Sequence, residues 1–148
     1  MCITRSKSPL SISGRSIITR MIVSVIAVLV LSGSPVSAQT NAVSGAVRYV
    51  TDGDTFSLRG VDRPIRVWGL DAPERGERGG NAATSTLRRL IAGQSLTCRL
   101  RDIDRYGRIV GQCFLPDGRD VAAQMIAAGV AREYCYFSGG HYGTCRGN

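Results

Sequence analysis

Residues 95–115 read SLTCRLRDIDRYGRIVGQCFL, two runs of apolar and β-branched residues on either side of a polar turn. From Ser95 to Arg101 the side chains alternate, with Leu96, Cys98 and Leu100 set against Thr97, Arg99 and Arg101. A period of two is the mark of a strand with one buried face. Arg108 to Leu115 forms a second apolar strand, and Asp104-Arg105-Tyr106-Gly107 supplies the turn between them. If that four-residue turn is tight, positions whose numbers sum to 211 face each other, which sets Cys98 opposite Cys113. Opposed Cβ atoms of an antiparallel pair lie within ~5.5 Å, so a cross-strand disulfide is expected there.

Outward from this hairpin, three further short strands precede it: Ala46 to Thr51, Thr55 to Leu58 and Ile65 to Gly69. Asp52-Gly53-Asp54 and the stretch Arg59 to Pro64 separate them as turns. Between the third strand and the hairpin, Ala82, Ala83, Leu87, Leu90 and Ile91 recur at helical spacing from about Gly80, and Gly93 stops the run. After Pro116-Asp117-Gly118, Asp120 is placed to cap a helix carrying Val121, Ala122, Met125, Ile126 and Ala127, which Gly129 ends. Five strands, one helix between the third and fourth and another after the fifth, predict a mainly β chain with α: a small closed barrel of the OB type with two helices. Fold of this kind does not by itself fix an activity.

The chain has 148 residues, 43% of them apolar, enough for one domain. Residues 1–38 hold Arg5, Lys7, Arg15 and Arg20 with no acid, then an apolar run from Met21 to Leu31, then Val36-Ser37-Ala38. The run is well short of the ~20 residues that span a bilayer, and this order of segments is that of a cleaved signal peptide, with export to the periplasm or the medium expected and no membrane attachment afterwards. Residues 39–44 read as a short linker, 45–137 as the domain, and 138–148 as a glycine-rich tail. Without the first 38 residues the remainder has 15 Arg, no Lys and 11 Asp plus Glu, so the formal charge falls from +8 to +4. Arginine presents a planar fork of donors suited to phosphate oxygens. Cys98, Cys113, Cys135 and Cys145 then remain, an even count that in a small exported domain implies two disulfides. With Cys98 and Cys113 paired, Cys135 is left to staple the tail to Cys145. A zinc site has no support, since there is no C-x-x-C pair and His141 is the single histidine.

Three short motifs carry chemistry-bearing side chains at strand ends: Asp52-Gly53-Asp54-Thr55, Arg66-Val67-Trp68-Gly69-Leu70-Asp71-Ala72-Pro73-Glu74, and Asp104-Arg105-Tyr106-Gly107-Arg108. Each taken singly reads equally as a charged turn. In order and spacing together they resemble the thermonuclease (staphylococcal nuclease-like) family, over about Val47 to Tyr136. The resemblance implies an OB-fold nuclease that hydrolyses DNA or RNA to 3′-phosphate and 5′-hydroxyl ends with calcium as cofactor. It implies Asp54, Asp71 and the backbone carbonyl of Ala72 as metal ligands, Glu74 reaching the metal through water, and Asp52 behind them; hard oxygen donors suit that ion.

It further implies Arg66 and Arg108 as catalytic arginines and Glu74 as general base or water-positioning group. Two guanidinium groups fit the chemistry, since attack on a phosphodiester loads negative charge onto the phosphoryl oxygens. Asp104, Arg105 and Tyr106, with Tyr134 and Tyr136, fall where the family meets the nucleotide. The family continues into a third helix where this chain has only its tail, so that helix is expected to be missing. A monomer without a stable protein partner is expected. A second reading stays open, a non-catalytic OB-fold that grips single strands through its arginines.

Overall fold

The computed structural model describes residues 41–145. The expected signal segment 1–38, and the last residues of the tail, lie outside the described residues. The elements in chain order are β1 (Ala42–Val50), β2 (Thr55–Leu58), β3 (Ile65–Val67), β4 (Leu70–Asp71), α1 (Gly80–Ile91), β5 (Ser95–Ile103), β6 (Ile109–Phe114), α2 (Val121–Ala127), β7 (Arg132–Glu133) and α3 (Cys135–Ser138). Five of the strands close a barrel in the order β1-β2-β3-β6-β5. All its pairs are antiparallel except β3 with β6, which run parallel. This is the expected five-stranded OB-type barrel, and the third helix is reduced to the four residues of α3.

The barrel closes because its strands bury one face each. Phe56, Leu58, Ile65, Val67 and Leu96 are at most 1% exposed, and Leu87 and Ile91 from α1 and Met125 from α2 are fully buried against them. Full burial of such side chains is worth roughly 1.5–3 kcal/mol each. Ala83, Leu87 and Ile91 stand four residues apart, the single apolar stripe that α1 needs to cover one side of the barrel. Asp120 caps α2 as expected, its Oδ1 accepting from the N–H groups of Ala122 at 2.8 Å and Ala123 at 3.2 Å.

Three details depart from the sequence reading. First, β1 starts at Ala42 and so absorbs Ala42 to Ser44, read as linker; Val43 pairs with Cys98, which closes the barrel. Second, β3 stops at Val67 because Gly69 takes a φ of 69°, and the chain extends again as β4 to pair with β7, a two-stranded sheet that the sequence did not announce. Third, the hairpin keeps the expected register only as far as Leu100 opposite Gly111. It resumes with Asp102 opposite Val110, leaving Arg101 as the extra residue of a bulge.

The disulfides are those expected. Cys98 and Cys113 are directly paired with Cα atoms 4.0 Å apart, and Cys135 joins Cys145 with Cα atoms 5.7 Å apart. Gly111 makes room for the first, since a Cβ there would lie 3.1 Å from the Cβ of Cys98. The tail is held independently of its disulfide by the buried carboxylate of Glu133. Glu133 accepts from Ser138 Oγ (2.6 Å), the Tyr142 N–H (2.9 Å), the Thr144 N–H (2.8 Å) and Thr144 Oγ1 (2.9 Å). Burial alone would raise this carboxyl, but those hydrogen bonds outweigh it and bring it down to about 2.

Candidate active site

The site is assembled where β2, β3 and β6 lie side by side. Thr55 and Arg66 are cross-strand partners, and Arg66 stands beside Val110 of β6 in the parallel pair. That register carries Arg66 Nη1 to 2.8 Å from Asp54 Oδ2. Thr55 Oγ1 donates to Asp54 Oδ1 at 2.8 Å and accepts from Arg108 Nη1 at 3.3 Å. Two arginines from separate motifs thus converge on one buried aspartate and its neighbouring hydroxyl. Asp54 is only 3% exposed, and its burial outweighs the opposing pull of Arg66, pushing its carboxyl up to about 6.

Arg108 is aimed by its own hairpin. Asp104 Oδ2 accepts from Arg108 Nε at 2.7 Å, while Oδ1 accepts from the N–H groups of Tyr106 at 3.0 Å and Arg108 at 2.9 Å. Partial burial opposes ionisation of Asp104, but these bonds prevail and hold its carboxyl below the usual range. Asp104 therefore orients Arg108 and closes the turn, and it lines the same cavity as Arg108. Asp52 plays a comparable part in the first turn, accepting from the Asp54 N–H at 3.1 Å.

Arg66, Glu74 and Arg108 line one cavity of about 740 Å³. Arg105 and Tyr106 edge it, with the Arg105 guanidinium 4.8 Å from the exposed Tyr106 ring and Nη2 donating to its hydroxyl at 2.7 Å. Tyr134 lines it as well, together with Phe137, which the sequence reading passed over. Tyr136 is 84% exposed, is not among the lining residues, and packs edge-on against Phe137 instead. Trp68 and Arg101 are among the further lining residues that sequence reasoning had not assigned to the site.

Asp71 and Ala72 border a smaller neighbouring pocket. Cross-strand pairing of β4 with β7 sets Asp71 opposite Arg132, whose Nη2 donates to Asp71 Oδ2 at 2.8 Å. The oxygens of Asp54, Asp71 and Glu74 are consequently not gathered to a point. The turn and the exit loop are nevertheless in contact: a Cβ on Gly53 would come within 2.7 Å of the Ala72 and Ala83 methyl groups. Among the described residues one group, Glu133, Cys135 and Cys145, has metal-ligating atoms all within 4.8 Å. Its sulfurs are bonded to each other and its carboxylate is spent on the tail, so it offers no thiolate to a cation.

Asp54, Asp71 and Glu74 carry oxygen donors of the hard kind that suits a cation such as calcium, set apart from one another rather than around a single point. Asp54 is 3% exposed with Arg66 beside it; burial raises its carboxyl, and further positive charge there would favour its ionised form.

The family model described as staphylococcal nuclease homologue matches residues 64–144. An uncharacterized endonuclease of Escherichia coli is 37% identical over 94 residues, covering 62% of this chain and 61% of its own. Over 145 residues, a succinoglycan biosynthesis protein of Rhizobium meliloti, ExoI, is 32% identical, covering 86% and 75%. A micrococcal nuclease of Shigella flexneri is 32% identical over 104 residues, covering 63% and 59%. The chain thus spans about three fifths of the length of the two enzymes so named.

Proposed function

Because this chain belongs to the staphylococcal nuclease family and is similar to proteins named as an endonuclease and a micrococcal nuclease, we propose that it is an exported, calcium-dependent nuclease of DNA or RNA. The observation that carries the reading is the convergence of Arg66, Arg108 and Glu74 on one cavity, with Arg66 locked to the buried Asp54.

In this reading Arg66 and Arg108 grip the non-bridging oxygens of the scissile phosphate, and their forks strengthen as negative charge builds there. Glu74, exposed at the cavity wall, accepts or steers the proton of the attacking water. Water oxygen bonds to phosphorus as the bond to O5′ breaks, O5′ takes up a proton, and the strand ends as a 3′-phosphate and a 5′-hydroxyl. Asp54, Asp71, the Ala72 carbonyl and Glu74 are the groups that would hold a calcium ion, which would supply Lewis-acid polarisation when bound. Asp71 keeps Oδ1 for that role while Oδ2 rests on Arg132. Export rests on the composition of residues 1–38, and no helix of the described residues is long and apolar enough to cross a membrane.

One assay tests this: plasmid DNA and RNA are incubated with the purified protein in calcium and in EGTA. Cleavage in calcium alone, with phosphate left on the 3′ end, is expected. Binding of single strands without cleavage in either condition would instead identify an OB-fold binding module.

A further inference from the structure

The bulge in β5 presents an arginine that neither the fold nor the two-arginine centre requires. Arg101 is the residue without a partner between Leu100 opposite Gly111 and Asp102 opposite Val110. A bulge re-aims its side chain relative to the regular ladder. The Arg101 guanidinium lies over the Trp68 ring, 4.7 Å from its centroid, and both residues line the cavity of Arg66, Arg108 and Glu74.

Its position is fixed in a particular way. Arg101 Nη2 donates to Oε1 of Gln112, a residue 5% exposed. Gln112 is itself held, its Nε2 donating to Asp120 Oδ2 at 2.9 Å and facing His141 Nε2 at 3.2 Å. The edge of His141 also packs on Trp68, with ring centroids 5.3 Å apart. Arg66 and Arg108 each share their charge with a carboxylate within 2.8 Å. Among the described residues no carboxylate lies within 4.0 Å of the Arg101 side-chain nitrogens. Asp102, the nearest in sequence, has an oxygen on the Ile103 N–H at 2.7 Å. A neutral amide and an aromatic face hold Arg101 still without neutralising it.

A guanidinium has five donors, and here one is used within the protein. An immobilised, uncompensated fork on the wall of a phosphodiester-binding cavity is built for an anion. We propose that Arg101, seated on Trp68, binds a second phosphate of the substrate strand, so that the cleft engages an oligonucleotide through at least two phosphates and favours it over a substrate with one. The proposal rests on the phosphodiesterase reading of Arg66, Arg108 and Glu74.

The test compares Arg101→Gln and Arg101→Lys with the parent protein on a single-stranded oligonucleotide and on a dinucleoside monophosphate, which has only the scissile phosphate. In Arg101→Gln the ratio of kcat/KM between the two substrates should fall about tenfold through the oligonucleotide KM, the size expected for one charge-assisted phosphate contact. The slope of log affinity against log salt for the oligonucleotide, measured in EGTA, should drop by about 0.7. Arg101→Lys should restore the salt slope and only part of the KM. An unchanged oligonucleotide KM and salt slope would overturn the proposal, as would an equal loss on both substrates. If the parent cleaves neither substrate, the phosphodiesterase reading fails. The affinity and salt slope in EGTA still decide the role of Arg101.

Discussion

Arg66 and Asp54 meet at 2.8 Å with their side chains 20% and 5% exposed, and the contact is set by strand register. Thr55 and Arg66 are paired across β2 and β3, so the residue preceding Thr55 is delivered to the arginine without any loop having to be ordered for it. The catalytic arrangement proposed above inherits the rigidity of the barrel wall.

Arg66→Ala and Arg108→Ala should each lower kcat by about 10²–10³, the range seen when one preorganised donor to a developing oxyanion is lost. Circular dichroism should show the fold retained, because neither side chain belongs to the apolar core. Undiminished turnover in both variants would remove the two-arginine mechanism.

Asp104→Asn should act through Arg108. The carboxylate that accepts from Arg108 Nε is lost while the turn can still close, so kcat should fall about 10- to 100-fold with KM little changed. A rise in KM at constant kcat would show that Asp104 meets the nucleotide instead.

Gly53→Ala forces a methyl group to within 2.7 Å of the Ala72 and Ala83 Cβ atoms, neither of which can rotate away. Overpacking of this kind costs roughly 1–3 kcal/mol. Urea denaturation should show the lowered midpoint. Calcium titration followed by an unfolding temperature should show weaker stabilisation than in the parent, since the turn is pushed off the loop that completes the proposed metal site.

Glu133 makes stability depend on pH in the acid range. Its folded carboxyl sits at about 2, below the ordinary 4.5, so the folded state binds fewer protons than the unfolded one over that interval. The stabilisation is therefore fully present above about pH 4.5 and is lost as pH falls from there toward 2. Thermal unfolding followed between pH 2 and 6 should show a steep acid limb for the parent and a flatter, lower one for Glu133→Gln. Parallel curves would mean that the tail clamp does not depend on the charge.

Much of the architecture was legible because local patterns report burial directly. Alternation over Ser95 to Arg101 marked a strand, the four-residue spacing of Ala83, Leu87 and Ile91 marked a helix, and Asp120 marked where the next helix begins. Register from a tight turn was enough to pair Cys98 with Cys113, and Cys135 with Cys145 followed from the remainder. Arg66, Glu74 and Arg108 stood out for a different reason, as parts of motifs whose order matches a family, and the fold brings the three to one cavity.

Tertiary structure alone decided what meets across long separations. Arg132 lies 61 residues from Asp71, and only the β4–β7 pairing sets them face to face. The tail's dependence on Glu133 follows from burial of one carboxylate among donors five to eleven residues away, which no periodicity encodes. The bulge at Arg101 could not be read either, because an alternating sequence looks the same whether or not one residue is skipped in the ladder. A sequence fixes which faces are apolar and which ends carry charge. The three-dimensional packing of those faces selects the register, and register determines which charges become partners and which, like Arg101 among the described residues, meet no carboxylate.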